Sequence, residues 1–164
     1  MKIIGVCGYA GSGKDTVADM IKDQLDGVLR YSMAKPVKEI AKSMGWDGKK
    51  DGPGRQLLID VGMAGRAYDP DCWLDKAKSY FDTWSHQYKY AVISDCRFVN
   101  EADFVTQNGI LIRVYREGLE LIDHPSEREL DGYLTRYVIQ NNGTKEDLEE
   151  EVRLTLKEAM CVSL

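Results

Sequence analysis

A glycine-rich stretch near the N-terminus constrains the fold more than any other part of the chain. Gly8, Gly13 and Lys14 satisfy the spacing G-x-x-x-x-G-K of a phosphate-binding loop. The apolar run 3–7 before it is typical of a buried strand, and apolar residues recur at helical spacing over 17–25 after it. A strand, a glycine turn and a helix in this order predict backbone N–H groups arranged around phosphate oxygens. The alternative is a strand-to-helix turn that binds no ligand.

The phosphate-binding interpretation predicts an ATP site formed by consecutive residues. Lys14 would reach the β- and γ-phosphates as a point charge, and the glycines would let the backbone turn inward. The predicted ATP-binding residues of this loop are Gly8, Gly11, Ser12, Gly13, Lys14, Asp15 and Thr16.

Asp15 departs from the usual pattern, which has Ser or Thr after the lysine. A carboxylate beside a polyphosphate is repelled unless a cation lies between them, and its oxygens suit Mg²⁺. Thr16 offers a hydroxyl one residue further on. The alternative is that Asp15 only complements the dipole of the helix that begins here. We therefore predict Asp15 and Thr16 as magnesium ligands, directly or through water.

Strand and helix patterns alternate along the rest of the chain. This alternation predicts an α/β fold in which a parallel sheet is covered by helices on both sides, as one domain over 1–164. The last helix is predicted from a capping box, Thr144 with Asp147, and from an apolar face of Leu148, Val152, Leu156, Ala159 and Met160. The other predicted strands are 28–34, 90–94, 110–115 and 137–140, and the other helices are 36–46, 54–81 with a break at 65–71, and 99–108; a loop is predicted over 47–54.

Composition limits the class of partner. The 164 residues carry 22 basic and 27 acidic side chains, a net charge of −5, which argues against binding to nucleic-acid polymers or anionic membranes. No apolar run approaches the roughly 20 residues that span a bilayer. The cysteines, Cys7, Cys72, Cys96 and Cys161, form no C-x-x-C pair, so neither zinc nor a disulfide framework is expected. We expect a cytoplasmic protein with small-molecule partners.

Six segments in order along the chain resemble the deoxynucleoside monophosphate kinases of bacteriophages. Together they cover nearly the whole sequence. They are G-K-D-T in the loop, RQLLIDVGMAGR (55–66), DPDCW (69–73), ISDCRFVNEAD (93–103), DHPSEREL (123–130) and VIQNNGTKEDL (138–148).

The resemblance implies a three-layer P-loop kinase fold with a small lid over about 116–136. It also implies an enzyme that uses ATP and Mg²⁺ to convert a deoxynucleoside 5′-monophosphate (dNMP) to the diphosphate, giving ADP. For a phage protein the location would be the host cytoplasm. Two residues depart from the family pattern. Met63 lies where many relatives have a Gly-Thr pair, so a hydroxyl contact is not expected there. Lys35 lies where relatives more often have an acidic residue, which would alter substrate choice.

Asp95 and Arg97 follow the strand pattern 90–94, at the sheet edge where ligands of open α/β proteins collect. Asp95 would hold the magnesium shell or orient the attacking phosphate. Arg97 would contact the substrate phosphate. The alternative is a surface ion pair of little energetic value.

Arg55 and Arg66 lie eleven residues apart, about three helical turns, so they share a face if one helix joins them. By resemblance this region flanks the monophosphate, and two guanidinium groups would suit a dianion. Solvated helix charge is the alternative. Trp73 would either stack on the base or fill the core.

The lid carries the remaining predicted cations. Arg113 and Arg116 bracket the end of the strand 110–115, and by resemblance lid arginines close over the transferring phosphate. We thus predict Lys14, Asp95 and Arg116 as catalytic residues and Arg113, His124 and Arg128 as lid residues. An equally weighted alternative is that Ser126 and Glu129 form a plain capping box.

The turn 141–147 follows the last strand. In P-loop kinases this turn often packs against adenine, and Asn142 is the predicted contact. Its T-K-E-D fragment resembles a GTPase motif. A GTPase switch would need Ser or Thr at position 15 and a D-x-x-G turn at 95–98, and both are lacking. A dephospho-coenzyme A kinase-like or other small-molecule kinase is the nearer alternative. The last helix would pack on its own sheet or on a second subunit, so a monomer or a homodimer is expected.

Overall fold

The computed structural model describes residues 1–120 and 124–160, and in them five parallel strands form one sheet. The strands are β1 (Lys2–Cys7), β2 (Val28–Tyr31), β3 (Tyr90–Cys96), β4 (Gly109–Tyr115) and β5 (Tyr137–Gln140). Their order is β2-β3-β1-β4-β5, and each neighbouring pair is parallel. The predicted parallel sheet is confirmed.

Helices connect the strands and cover both faces of the sheet. They are α1 (Lys14–Gln24), α2 (Ala34–Ser43), α3 (Gly52–Tyr68), α4 (Cys72–Trp84), α5 (Val99–Asn108), α6 (Pro125–Arg128) and α7 (Lys145–Met160). Helices α1 and α7 pack together on one face, whereas α4 and α5 pack on the other. Parallel strands require such crossovers, and this gives the predicted three-layer α/β fold.

The central strand shows how the sequence pattern produces two cores. Ile4 and Val6 point into the cluster shared with α1 and α7, and Ile3 and Cys7 point into the cluster shared with α4 and α5. All four side chains are buried. Because β1 is covered on both faces, the side chains on both faces need to be apolar, which explains its continuous apolar run.

The capping box at the last helix is formed as predicted. The Thr144 N–H donates to Asp147 Oδ2 (2.9 Å), and the Asp147 N–H donates to Thr144 Oγ1 (3.2 Å). Leu148, Val152 and Leu156 on its apolar face are buried. This helix packs on its own sheet.

The start of α2 differs from prediction. The strand ends at Tyr31 and the helix begins at Ala34, so Pro36 is its third residue rather than its first. The reason is a distant carboxylate: the N–H groups of Met33 and Ala34 donate to Asp95. The sequence around the start of α2 does not predict that cap.

The predicted helical region 54–81 divides into α3 and α4 at the predicted break. Helix α3 begins earlier than expected, inside the predicted loop 47–54, because Asp51 Oδ1 accepts from the Gly54 N–H (2.9 Å). Through residues 1–120 and 124–160, no helix combines the length and apolarity needed to cross a membrane.

Candidate active site

A cavity of about 390 Å³ opens at the carboxyl ends of β1, β2 and β3. This is the edge of an open parallel sheet where ligands bind. Its walls are the phosphate loop, helix α3, the turn between β3 and α5, and helix α6. The predicted site residues that line it are Gly11, Lys14, Asp15, Arg55, Arg66, Trp73, Asp95, Arg97 and His124.

The phosphate loop has the backbone that its glycines predict. Gly8, Gly11 and Gly13 have φ values of 140°, 81° and 99°. A Cβ on Gly13 would lie 2.3 Å from Asn141 Nδ2, and a Cβ on Gly8 would lie 2.3 Å from the carbonyl oxygen of Val114. Only glycine fits there, and Gly13 immediately precedes α1, whose N-terminus faces the loop.

Lys14 is buried within this loop. Its Nζ donates to the carbonyl oxygens of Gly8 (2.7 Å) and Tyr9 (2.6 Å). Burial, with the nearby positive charge of Arg97, lowers the pKa of Lys14 to about 8. A bound polyphosphate would favour the charged form, so the lysine is suited to an anionic ligand.

Two further features of the loop fit a phosphate group. The Ser12 hydroxyl is buried and has no hydrogen-bond partner among the described residues. The Ser12 carbonyl accepts from Asn141 Nδ2 (2.8 Å), which ties the loop to the end of β5. The sequence pointed instead to Asn142, whose Oδ1 accepts from the Glu117 N–H (2.8 Å) and which lies outside the cavity lining. Asn141 was missed because its partner is 129 residues away.

Asp15 lies at the cavity but is not free. Its side chain is 83% exposed, and Oδ1 accepts from Arg30 Nη2 (2.7 Å). Arg30 also pairs with Asp19. The contact with Arg30, which lies on β2, was not predicted from the sequence. Thr16 is exposed and does not line the cavity.

The carboxylates present fit a nucleotide-borne magnesium ion rather than a protein-only cage. In the ranges 1–120 and 124–160, no three His, Cys, Asp or Glu side chains cluster as metal ligands. Mg²⁺ in phosphoryl-transfer sites typically takes one or two carboxylates, the substrate phosphates and water. Asp15, exposed beside the phosphate loop and paired with Arg30, would supply one such carboxylate, and this contact stays a prediction.

Asp95 is held more tightly than its predicted role requires. Its Oδ1 accepts from the Met33 N–H (2.7 Å), and its Oδ2 accepts from Ser32 Oγ (2.7 Å) and the Ala34 N–H (3.1 Å). The carboxylate therefore caps α2 from a neighbouring strand. A magnesium or phosphate contact by Asp95 stays a prediction.

A β-bulge helps to aim Asp95. Gly5 pairs with Ile93 and Cys7 pairs with Cys96, so β3 holds one residue more than β1 between these pairs. Bulges turn side chains at functional edges of sheets. The extra residue lies where β3 enters the cavity wall.

The cavity wall formed by α3 contains the predicted arginine pair. Arg55 and Arg66 both lie on α3 and both line the cavity, so the predicted single helix is confirmed. Arg66 pairs with Glu101, and its guanidinium carbon lies 3.5 Å from the centre of the Phe98 ring. Arg55 is exposed.

Trp73 serves the core and the cavity wall together. It is 4% exposed, and its Nε1 donates to the Gly62 carbonyl (2.9 Å). A Cβ on Gly65 would lie 2.3 Å from Trp73 Cζ2, so α3 and α4 approach closely here. Met63, on α3, also lines the cavity.

Helix α6, within the predicted lid, lies on the phosphate loop. Glu127 Oε2 accepts from the Ala10 N–H (2.8 Å), and the same carboxylate pairs with Arg97. The hydroxyl of Tyr9 donates to Asp131 (2.7 Å). Glu127 was missed in the sequence because the contact joins segments 117 residues apart.

His124 lines the cavity and also begins α6. Its Nδ1 accepts from the Ser126 N–H (3.2 Å). Glu129 instead accepts from the Val99 N–H (3.1 Å). The alternative capping box of Ser126 with Glu129 is therefore wrong, because histidine provides the cap.

Three predicted lid arginines do not line the cavity in this structure. Arg113 donates to the carbonyl oxygens of Leu130 (2.7 Å) and Tyr133 (3.0 Å), which anchors the predicted lid segment to β4. Arg128 pairs with Asp131, and Arg116 is exposed just after β4. Contact of these cations with phosphate stays a prediction. Lid residues 121–123 lie outside the described part of the chain.

The cysteines that the structure describes, Cys7, Cys72 and Cys96, are free thiols. Cys7 and Cys96 are buried and Cys72 is partly buried. Burial raises the pKa of the Cys96 thiol well above its usual value, so it is not a reactive thiolate. Cys161 lies outside the described residues.

Comparison with known proteins agrees with this geometry. The family described as deoxynucleotide monophosphate kinase matches residues 60–152. A protein of Acanthamoeba polyphaga mimivirus, provisionally named a deoxynucleotide monophosphate kinase, is 32% identical over 183 aligned residues, which cover 93% of this chain and 94% of that protein.

Solved structures show the same fold at low sequence identity. The protein TT1252 from Thermus thermophilus is 19% identical with a TM-score of 0.56, covering 96% of this chain and 97% of its own. Shikimate kinase from Aquifex aeolicus is 13% identical with a TM-score of 0.54, covering 98% and 99%. The fold is the α/β fold of P-loop kinases. The chain belongs to the deoxynucleotide monophosphate kinase family, and so to the nucleotide kinases among the phosphotransferases.

Proposed function

We propose that the protein transfers the γ-phosphoryl group of ATP to a deoxynucleoside 5′-monophosphate, giving dNDP and ADP. The observation that carries this proposal is one cavity with the phosphate loop on one wall and Arg66 and Arg97 on the other. Phosphoryl transfer needs positioning and charge neutralisation more than covalent chemistry. A donor wall and an acceptor wall at one cavity supply both.

The donor wall would bind ATP through the loop of Gly8 to Lys14. Backbone N–H groups and the α1 N-terminus would contact the phosphates, and Lys14 would neutralise charge on the transferring group. Magnesium would be held by the phosphates together with Asp15, with Thr16 and Asp95 as further candidate ligands. Asn142 would lie beside adenine.

The acceptor wall would bind the monophosphate through cations. Arg97 and Arg66 are partly buried at the cavity, where a guanidinium binds a phosphate more strongly than it does in open water. Arg55 would assist from the first turn of α3. Trp73 and Met63 would limit the space for the base.

The lid over 116–136 would close the site. Closure excludes water, which otherwise hydrolyses ATP, and would bring Arg116 to the transferring phosphate together with Arg113, His124 and Arg128. With this reaction we propose a single catalytic domain, small-molecule substrates, a monomer or homodimer, and a cytoplasmic location, in the host if the protein is viral.

The test is ADP release with Mg·ATP against a panel of dNMPs, NMPs and dephospho-coenzyme A, with the product identified by mass. Turnover that depends on one or more dNMPs is expected. Turnover with dephospho-coenzyme A alone would support the alternative small-molecule kinase. ATP binding without turnover on any acceptor would overturn the proposal.

A further inference from the structure

Glu101 is a buried charge close to the acceptor arginines. It is 1% exposed and lies in the first turn of α5. Burying a carboxylate is costly unless charged or hydrogen-bonding partners compensate it. Burial raises the pKa of Glu101, and the Arg66 guanidinium opposes that rise. The fold therefore buries the Glu101 carboxylate at a cost in free energy that its partners must offset.

The partners of Glu101 come from two walls of the cavity. Oε1 pairs with Arg66 of α3. Oε2 accepts from the backbone N–H of Arg97 (2.8 Å) and more weakly from that of Phe98 (3.3 Å). One carboxylate therefore joins α3 to the turn that carries Arg97.

The same carboxylate fixes the plane of the Arg66 guanidinium. The guanidinium lies over the Phe98 ring at 3.5 Å, and its Nη1 donates to the Pro70 carbonyl (3.3 Å). An arginine held by stacking and by a carboxylate loses little entropy when it binds a ligand. Without Glu101, one of the contacts that orient it would be lost.

We propose that Glu101 is a positioning residue for the acceptor nucleotide: it holds Arg66 and the Arg97 turn in the arrangement that receives the dNMP. This inference rests on the proposed function. Glu101 itself does not touch the reacting atoms. Its removal should weaken acceptor binding selectively, because the phosphate loop makes no hydrogen bond to it among the described residues.

The experiment compares Glu101→Gln with Glu129→Gln in the full chain. Glu129 also accepts from a backbone N–H at the start of α5, that of Val99, but it does not line the cavity. Initial rates are measured against dNMP concentration at saturating Mg·ATP. Binding of ATP is measured by calorimetry, and folding by thermal melting.

We expect Glu101→Gln to raise the KM for dNMP about tenfold, since small misplacements of binding groups cost this much or more. The dissociation constant of ATP should stay within about twofold. Glu129→Gln should change neither value. Arg66→Ala should also raise the KM for dNMP, and the double variant with Glu101→Gln should lose less than the product of the two single effects, because part of the Glu101 effect acts through Arg66.

Two results would overturn the inference. One is a folded Glu101→Gln protein with wild-type KM for dNMP, or with equal losses in dNMP and ATP binding, which is the signature of a purely structural residue. The other is full additivity of the two effects in the double variant, which would mean that Glu101 does not act through Arg66. Should Glu101→Gln not fold, Glu101→Asp replaces it, because the shorter side chain cannot reach both partners, and an unchanged KM then counts against the inference. A wild-type protein that binds ATP but turns over no dNMP would defeat the proposed function instead.

Discussion

The donor and acceptor walls of the cavity reach the same edge of the sheet by different routes. The donor wall is seven consecutive residues, 8–14, between a strand and a helix. The acceptor wall is assembled from α3, the β3–α5 turn and α6, joined by pairs such as Arg66 with Glu101 and Arg97 with Glu127. The first is specified by local backbone geometry, and the second by ion pairs between distant segments.

This difference has an energetic side. Lys14 in the donor wall is a buried cation whose pKa is lowered, so its charged form costs stability. Asp95, at the end of β3, caps α2 next to the acceptor wall; it makes three hydrogen bonds and adds stability. We therefore expect a variant of Lys14 to lose activity without losing stability, and a variant of Asp95 to lose stability.

Lys14→Met should have the largest effect on activity. We expect kcat/KM to fall by about 100- to 1,000-fold, because one preorganised charge facing the transferring phosphate is lost. Stability should not fall. Folding lowers the Lys14 pKa to about 8, so the protonated side chain destabilises the fold at pH 7, and this cost disappears as pH rises through 8 toward the ordinary value.

Steady-state kinetics and urea unfolding at pH 7 check the two parts. Lys22→Met is the matched control, since Lys22 is exposed in the last turn of the same helix. A Lys14→Met protein that is inactive but also less stable than wild type would contradict the assigned cost.

Asp95→Asn tests the cap of α2 through stability. The amide replaces one acceptor oxygen by a donor, so at least one of the α2 N–H groups or the Ser32 hydroxyl loses its partner. The free energy of unfolding should fall by about 2 kcal/mol. Urea unfolding measures this, with Asp82→Asn on the exposed surface of α4 as control. Unchanged stability would mean that the cap is not important and would leave the predicted magnesium role as the reason for Asp95.

The same contrast explains what the sequence could predict. The strands, the phosphate loop and the last helix follow from residues close in sequence: apolar runs, glycine spacing and the Thr144–Asp147 box. The start of α2 could not be predicted, because its cap is Asp95 on another strand. Lys14 was found from its motif, whereas Glu101 and Glu127 were not, since their roles depend on partners about 30 to 120 residues away.

Asp15→Ala sharpens the comparison within the donor wall. If Asp15 contacts magnesium, turnover at limiting Mg²⁺ should fall about tenfold and recover as Mg²⁺ is raised. Arg30→Ala is the matched variant, because it releases Asp15 from its ion pair without removing the carboxylate. It should leave the Mg²⁺ requirement at or below the wild-type value. Unchanged activity of Asp15→Ala at limiting Mg²⁺ would mean that Asp15 only complements the dipole of α1.

Glu127→Gln should have the smallest effect, in the opposite direction. Its carboxylate accepts the Ala10 N–H, a donor that the phosphate loop would offer to ATP, so the nucleotide must compete with the lid. Weakening this contact raises the fraction of protein that is ready to bind, and the dissociation constant of ATP should fall about threefold. Calorimetry measures it, with Glu129→Gln as the control on the neighbouring lid position.

Weaker ATP binding in Glu127→Gln would reverse this interpretation. The carboxylate would then remain on the loop when ATP is bound, with its charge balanced by Arg97. In that case the two walls would not be independent, because one lid residue would orient the phosphate loop and the acceptor arginine together. Tighter ATP binding would instead indicate that Arg97 pairs with Glu127 only until a nucleotide binds to the phosphate loop.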